Sequence, residues 1–380
     1  MTNKNHQTSL ASNLSIPELR AAFKGQVIAP GDDMYDEART VFYGGIDRRP
    51  AVIIRVVNAD EVARVISLAR ESGLELAIRS GGHSTSGHSV SEGGIVLDLS
   101  NMRDLQIDVE GRTAWAETGL TAGELTSAVG EHGLVVGFGD TGSVGIGGIT
   151  LGGGVGYLVR KLGLTIDSLL AAEVVTADGQ LLHVDADHHP DLFWAIRGGG
   201  GNFGVATRFQ FRLHEFGSVV GGMLILPATV DVIAGFIAAA ESAPDELSTI
   251  ANVMTAPPMP MLPEEVYGKP VVMSMLVYTG EASDAERVLA PFRALAKPFA
   301  DMVQPMKYPE IYAGEDGGGY HPVAAGRTMF VDSIDSSVAE TILSFLRSST
   351  GSMAVAQLRV LGGAMARVPA DATAFAHRAS

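Results

Sequence analysis

Between residues 205 and 213 the side chains alternate, with Val205, Thr207, Phe209, Phe211 and Leu213 in one set and Ala206, Arg208, Gln210 and Arg212 in the other. A strand sends successive side chains to opposite faces, so this period predicts a strand with one apolar face. Residues 51–57 form a β-branched run that predicts another strand. Asn58 and Glu61 follow at capping-box spacing, and Val62, Val65, Ile66 and Ala69 then recur on one helical face. With the apolar run at 74–78 this makes a βαβ unit, and 94–99 reads as a further strand. Thr121 and Glu124 repeat the capping signature ahead of a second helix, after which 134–136 lead into a glycine-rich tract at 137–156. Residues 171–177 and 180–184 flank Asp178-Gly179 as a hairpin, and 190–196 predict a helix.

Before residue 50 the pattern shows an entry segment with a short helix at 16–23. Near residue 215 the texture changes and glycine thins out. Strand-like runs at 223–226, 271–278, 329–332 and 354–361 then alternate with helical ones at 230–241, 282–295 and 338–347. Two α+β domains are expected, residues 1–214 and 215–380, the second with its own sheet.

Composition narrows the function. The 380 residues suffice for two domains, and 46% apolar with 18% charged residues is a globular balance rather than a disordered one. A formal charge of −16 argues against nucleic acid or an anionic membrane surface as the partner. The absence of cysteine removes disulfides, thiolate metal sites and thiol nucleophiles, and fits a reducing compartment. Met1 to His6 lacks the apolar core of a signal peptide, so the expected location is cytoplasmic. Nothing in the sequence indicates an oligomeric state.

Much of the excess of 46 glycines lies between Gly81 and Gly204. Arg79-Ser80-Gly81-Gly82-His83-Ser84-Thr85-Ser86-Gly87-His88-Ser89 is a glycine-rich loop between two predicted strands, where backbone N–H groups can converge on an anion without a Cβ in the way. Gly137, Gly139, Gly142 and Gly199, Gly201, Gly204 both match G-x-G-x-x-G. The first runs into more glycine and the second into a strand, so neither opens the helix that a Rossmann loop needs. Three such loops fit either tight turns alone or a dinucleotide lying extended along the domain.

The succession of Arg79-Ser80-Gly81-Gly82-His83-Ser84, Val144-Gly145-Ile146-Gly147-Gly148, Gly152-Gly153-Gly154-Val155-Gly156, Arg160 to Leu164, Asp167-Ser168, Val174 to Gly179 and Phe193 to Gly204 resembles berberine-bridge-enzyme-like FAD oxidases of the vanillyl-alcohol-oxidase superfamily. The resemblance covers roughly residues 45–375. It implies a PCMH-type FAD-binding domain, and a substrate domain whose mainly antiparallel sheet is flanked by helices. It implies that Arg79 to Ser84 and Gly87 hold the FAD pyrophosphate region. It also assigns Gly142, Ser143, Val144, Gly147, Gly148, Gly153, Gly154, Asp167, Val174, Asn202 and Gly204 to the cofactor. His83 stands where relatives bond covalently to the flavin 8α-methyl carbon. Thr141 stands where many relatives place a second, cysteinyl link, which implies attachment through His83 alone. Val144 stands where plant relatives gate oxygen access, and valine there implies an oxidase.

The resemblance thus implies oxidation of an alcohol or amine carbon of a small-molecule substrate, with hydride passing to flavin and O2 as acceptor. Gln357 and Arg359, two apart on a strand and so facing the same way, are the candidate catalytic side chains; glutamine cannot be a base and would orient substrate. Two tyrosine positions of the family are replaced here, by Thr85 and Val155. Relatives continue for several dozen residues past the His377-Arg378 element, whereas this sequence stops at Ser380, so the expectation is either a fragment or a protein lacking part of its active site, with impaired activity for this polypeptide as written. The alternatives are an NADPH-dependent FAD reductase of the related cell-wall-precursor type and a catalytically impaired flavin-binding remnant.

Overall fold

The computed structural model describes residues 14–312, 319 and 321–378. The Met1 to His6 segment and Ser380 lie outside them. The first sheet contains β1 (Gln26–Ile28), β2 (Val52–Arg55), β3 (Leu76–Arg79) and β4 (Ile95–Asp98) in the order β1-β2-β4-β3. β4 runs parallel to both β2 and β3, so the expected βαβ unit forms with β4 inserted between its strands. Its helix, Ala59–Ser72, buries Val62, Val65, Ile66 and Ala69 against Val52, Ile54 and Leu97.

The helix starts as the spacing predicts, with Asn58 Oδ1 accepting the Glu61 N–H at 2.9 Å. Glu61 departs from the capping box. Its fully buried carboxylate accepts Lys24 N–H at 2.6 Å and Val57 N–H at 3.1 Å, tying the entry segment to the sheet. A buried carboxylate needs such donors more than the cap needs it. Thr121 and Glu124 do form the full reciprocal box.

The next strands are β5 (Leu105–Asp108), β6 (Thr113–Glu117), β7 (Leu134–Val135), β8 (Leu169–Val175), β9 (Leu181–Asp185), β10 (Val205–Arg212) and β11 (His214–Glu215). β7 pairs with β11, and the others form an antiparallel sheet in the order β5-β6-β10-β8-β9. The alternation read in the sequence is visible in β10, whose Phe209 and Phe211 are fully buried with Phe138, Leu125 and Ile146. On the other face the Arg208 guanidinium lies over the Trp115 ring at 4.6 Å.

A third sheet holds β12 (Val219–Pro227), β13 (Leu247–Thr255), β14 (Pro270–Tyr278), β15 (Ala300–Asp301), β16 (Gln304–Met306) and β17 (Val355–Arg359). The order is β15-β12-β14-β13-β17, with β16 also on β12, and every pairing is antiparallel. Helices Val230–Ser242, Ala285–Arg293 and Ser336–Ser348 cover one face through Phe236, Phe292 and Leu343. The opposite face presents Val219, Ile250 and Val277 to Tyr157, Leu158 and Val135 of the first half. The third sheet is thereby seated over the glycine-rich half of the chain.

Three departures have physical causes. Residues 329–332, expected as a strand, are irregular and largely exposed, and Phe330 stacks on His377 at 4.1 Å instead. An apolar run becomes a strand only beside a hydrogen-bonded neighbour, and β17 pairs with β13 alone. The helix expected over 282–295 is split into a 3₁₀ turn, Ala282–Asp284, and the helix Ala285–Arg293. A helix at Ile146–Leu151 interrupts the glycine tract, hidden from the sequence by Gly147 and Gly148, residues that disfavour helix. Among the described residues no helix is long and apolar enough to cross a membrane.

Candidate active site

Arg79 ends β3 and sends its side chain under the loop that follows. It is 7% exposed; Nε donates to Ser89 O at 3.2 Å and Nη1 donates to Ala38 O. Nη2 is buried without a hydrogen-bond partner. Burial pushes the guanidinium pKa below its ordinary value, partly offset by Asp98. An orphaned, buried cationic N–H is costly unless a ligand acceptor completes it.

The loop then crosses a second one so closely that neither carries a Cβ. A Cβ on Gly81 would collide with Gly145 N, and one on Gly145 with Gly81 N. Ser80 stitches the crossing, donating from Oγ to Thr118 O at 2.6 Å and accepting Gly147 N–H at 3.2 Å. The second loop is fixed from the other side, since Gly142 O accepts Gly123 N–H and Val144 O accepts Ala122 N–H, both at 2.8 Å. The Thr121 cap therefore holds the loop as well as the helix. Gly82, at φ 73°, turns the chain in a conformation that side chains rarely adopt, and so delivers His83.

His83 is half-buried, stacked on Phe42 with ring centroids 4.2 Å apart and an interplanar angle of 19°. Its Nε2 lies 3.2 Å from Ser143 Oγ. Burial lowers its pKa, partly countered by the backbone of Ser143, so the ring is biased toward the neutral form. A cavity of about 690 Å³ is lined by Arg79, Ser80, Gly81, Gly82, His83 and Ser143, with Phe42, Thr141 and His321 beside them.

The sequence-named residues divide. Arg79 to His83 and Ser143 meet at the cavity; Gly142 and Val144 flank Ser143 outside the lining, and Gly147 donates its N–H to Ser80 Oγ behind it. Gly148 is exposed at the start of the adjoining helix. Ser84 and Gly87 shape the turn, Ser84 Oγ accepting His88 N–H and Gly87 O accepting from Arg48. Val174 is core in β8, Asn202 is exposed, and Gly204 abuts the Val175 backbone. Gly153 faces the Phe375 ring and Gly154 faces Thr165.

Asp167 is committed elsewhere. Its carboxylate accepts Leu164 N–H at 2.8 Å and both terminal nitrogens of the buried Arg378, at 2.8 and 2.9 Å. Gln357 and Arg359 touch as their spacing predicts, Arg359 Nε donating to Gln357 Oε1 at 3.0 Å. The Arg359 guanidinium spans to the first half, pairing with Asp140 at 2.5 Å and Val155 O at 2.9 Å, while Gln357 Nε2 donates to Asn252. Both lie away from the cavity lining. Phe42, Thr118 and Asp140 were not legible as site residues, because each acts through a contact that sequence spacing does not encode.

The donor set fits a dinucleotide pyrophosphate: a buried guanidinium with one N–H unspent, and a crossing of two backbones with no room for side chains.

A family described as FAD binding domain matches residues 50–185. (R)-6-Hydroxynicotine oxidase of Paenarthrobacter nicotinovorans is 33% identical over 305 residues, which span 80% of this chain and 65% of that enzyme's length. An uncharacterized FAD-linked oxidoreductase of Bacillus subtilis, YvdP, is 32% identical over 361 residues, 92% of this chain and 78% of that protein. The structure of Physcomitrella patens BBE-like 1 superposes with a TM-score of 0.83 over 97% of this chain and 82% of that one, at 22% identity, a likeness of fold.

Proposed function

This chain belongs to the FAD-linked oxidoreductases that share this FAD binding domain, and from that premise we propose that it is an oxidase acting on an alcohol or amine carbon of a small molecule. The observation that carries the reading is the cavity of about 690 Å³ in which Arg79, the glycine crossing and His83 meet. Bound FAD supplies the hydride acceptor, and O2 returns it to the oxidised form. The name of the Paenarthrobacter relative supports a nitrogen-bearing substrate.

The residues of this chain do the remainder. Arg79 Nη2, buried without a partner, would supply a charge-assisted hydrogen bond to the pyrophosphate, and the backbones at Gly81 and Gly82 would hold it without a Cβ in the way. With FAD bound, His83 would be the residue to hold the flavin by a covalent bond at its 8α carbon. Thr141 has no sulfur with which to make a second one. The Arg359 and Asp140 pair holds the third sheet against the loop that carries Ser143, so these side chains position the two halves rather than take a proton. Tyr308 and Tyr312 are buried beside the same interface, and burial raises both phenols well above their ordinary pKa. They stay neutral, and Tyr312 donates to Gly139 O at 2.8 Å.

Anaerobic addition of a panel of alcohols and amines tests the proposal. At least one is expected to bleach the flavin absorbance, which returns with air as peroxide appears. Bleaching by NADPH and by none of the panel overturns it.

A further inference from the structure

We propose that His321, from the second half of the chain, is a further cofactor-binding residue: Nδ1 fastens the backbone of Val41 and Phe42 at the cavity, and Nε2 accepts a hydrogen bond from a hydroxyl of bound FAD. This rests on the reading of that cavity as the FAD site.

His321 Nδ1 lies 3.0 Å from Val41 O and 3.2 Å from Phe42 O. A carbonyl oxygen only accepts, so Nδ1 carries the hydrogen and shares it between the two. The neutral ring then keeps its lone pair on Nε2. Among the described residues Nε2 has no hydrogen-bond partner. His321 is an exposed residue in the lining of the cavity, together with Arg79 and the glycines of the 79–83 loop. Those groups suit the anionic part of FAD, whereas a lone pair calls for a donor. The hydroxyls of the cofactor's ribityl chain and ribose are donors of that kind.

The ring is held in place from two sides. Phe42 N–H donates to Gly82 O at 3.2 Å, tying this segment to the cofactor loop, while the Phe42 carbonyl accepts from His321. Gly44 N–H donates to Pro322 O at 3.1 Å, and a Cβ on Gly44 would stand 2.7 Å from His321 O, which leaves no room for a side chain. The Phe42 ring in turn stacks on His83. Phe42 thus links the two histidines, and the cavity takes a residue from each half of the chain.

The test uses the full chain with His83→Ala, in which flavin is bound reversibly, against the same chain carrying His321→Asn or His321→Ala. Asparagine can place an amide N–H where Nδ1 was and has nothing at the position of Nε2; alanine removes both. Work at about pH 8, above the ordinary histidine value of about 6.5, keeps imidazoles neutral. FAD affinity by equilibrium dialysis is expected to fall roughly 2- to 12-fold in the asparagine variant, the scale of one lost hydrogen bond, and at least as far in the alanine variant. Nitrogen NMR of the labelled histidines reads the ring directly, the signals lost in His321→Asn being those of His321. They are expected to show hydrogen on Nδ1 with and without FAD, and an Nε2 resonance that FAD moves in the direction of hydrogen-bond acceptance. Hydrogen on Nε2 in the FAD-free chain, an Nε2 resonance that FAD leaves unmoved, or an asparagine variant that binds FAD as tightly as its parent overturns the inference and leaves the FAD reading standing. A parent chain that binds no FAD overturns the reading of the cavity itself, and this inference with it.

Discussion

Asp167→Asn should destabilise the fold and leave the cofactor cavity intact. The carboxylate makes a two-pronged pair with Arg378, and the two side chains are only 9% and 3% exposed. Arg378 Nη2 also donates to Thr373, the Phe375 ring packs on Gly153, and the Phe375 backbone passes against Gly198. The pair therefore pins the segment from 371 to 378 onto the glycine-rich half. Replacing the carboxylate with an amide leaves a guanidinium buried without its counter-charge, which costs about 3–5 kcal/mol. At about 2–4 °C per kcal/mol, the melting temperature should fall by roughly 6–20 °C. The assay is thermal unfolding by circular dichroism, with FAD affinity measured well below the transition in a His83→Ala background, where binding is reversible. The double variant Asp167→Asn, Arg378→Met should melt higher than Asp167→Asn alone, because it removes the stranded charge. An Asp167→Asn chain that melts like wild type yet no longer holds FAD would refute this reasoning and make Asp167 a cofactor ligand.

In a His83→Ala background, where flavin is held without a covalent bond, Gly81→Ala forces the two crossing loops apart, and overpacking of about 1–3 kcal/mol should weaken FAD binding roughly 5- to 150-fold, measured by equilibrium dialysis. Gly148→Ala, on open surface, should leave it unchanged. Because burial lowers the pKa of His83, the unfolded chain binds its proton at higher pH than the folded one. Stability is then complete above the unfolded value of about 6.5 and declines as pH falls below it, and urea unfolding should show a shallower decline in His83→Gln.

Periodicity carried the elements whose one face is buried, such as β10 and the helix Ala59–Ser72. It failed where burial is two-sided or pairing decides. Leu247–Thr255 is buried along nearly its whole length and shows no alternation, so β13 had no signature. Met329 to Asp332 had the right residues and no neighbour. For the site, the glycine spacing marked 79–83 and 142–147 as loops of close backbone approach, while their crossing is a product of the fold. Asp167 and Arg359 share one feature that sequence does not show. A charged side chain at a plausible position looks available in sequence, and its partner, Arg378 or Asp140, is 211 or 219 residues away. Ser143 was named as a cofactor contact, but its meeting with His83, 60 residues earlier, is a product of the fold alone.

The most direct test is the absorption spectrum of the purified protein before and after acid precipitation, for wild type and His83→Ala. The account predicts a yellow wild-type pellet and, for His83→Ala, flavin that moves to the supernatant. A wild-type chain that takes up no flavin when supplied with FAD, or a His83→Ala pellet as yellow as wild type, would contradict it.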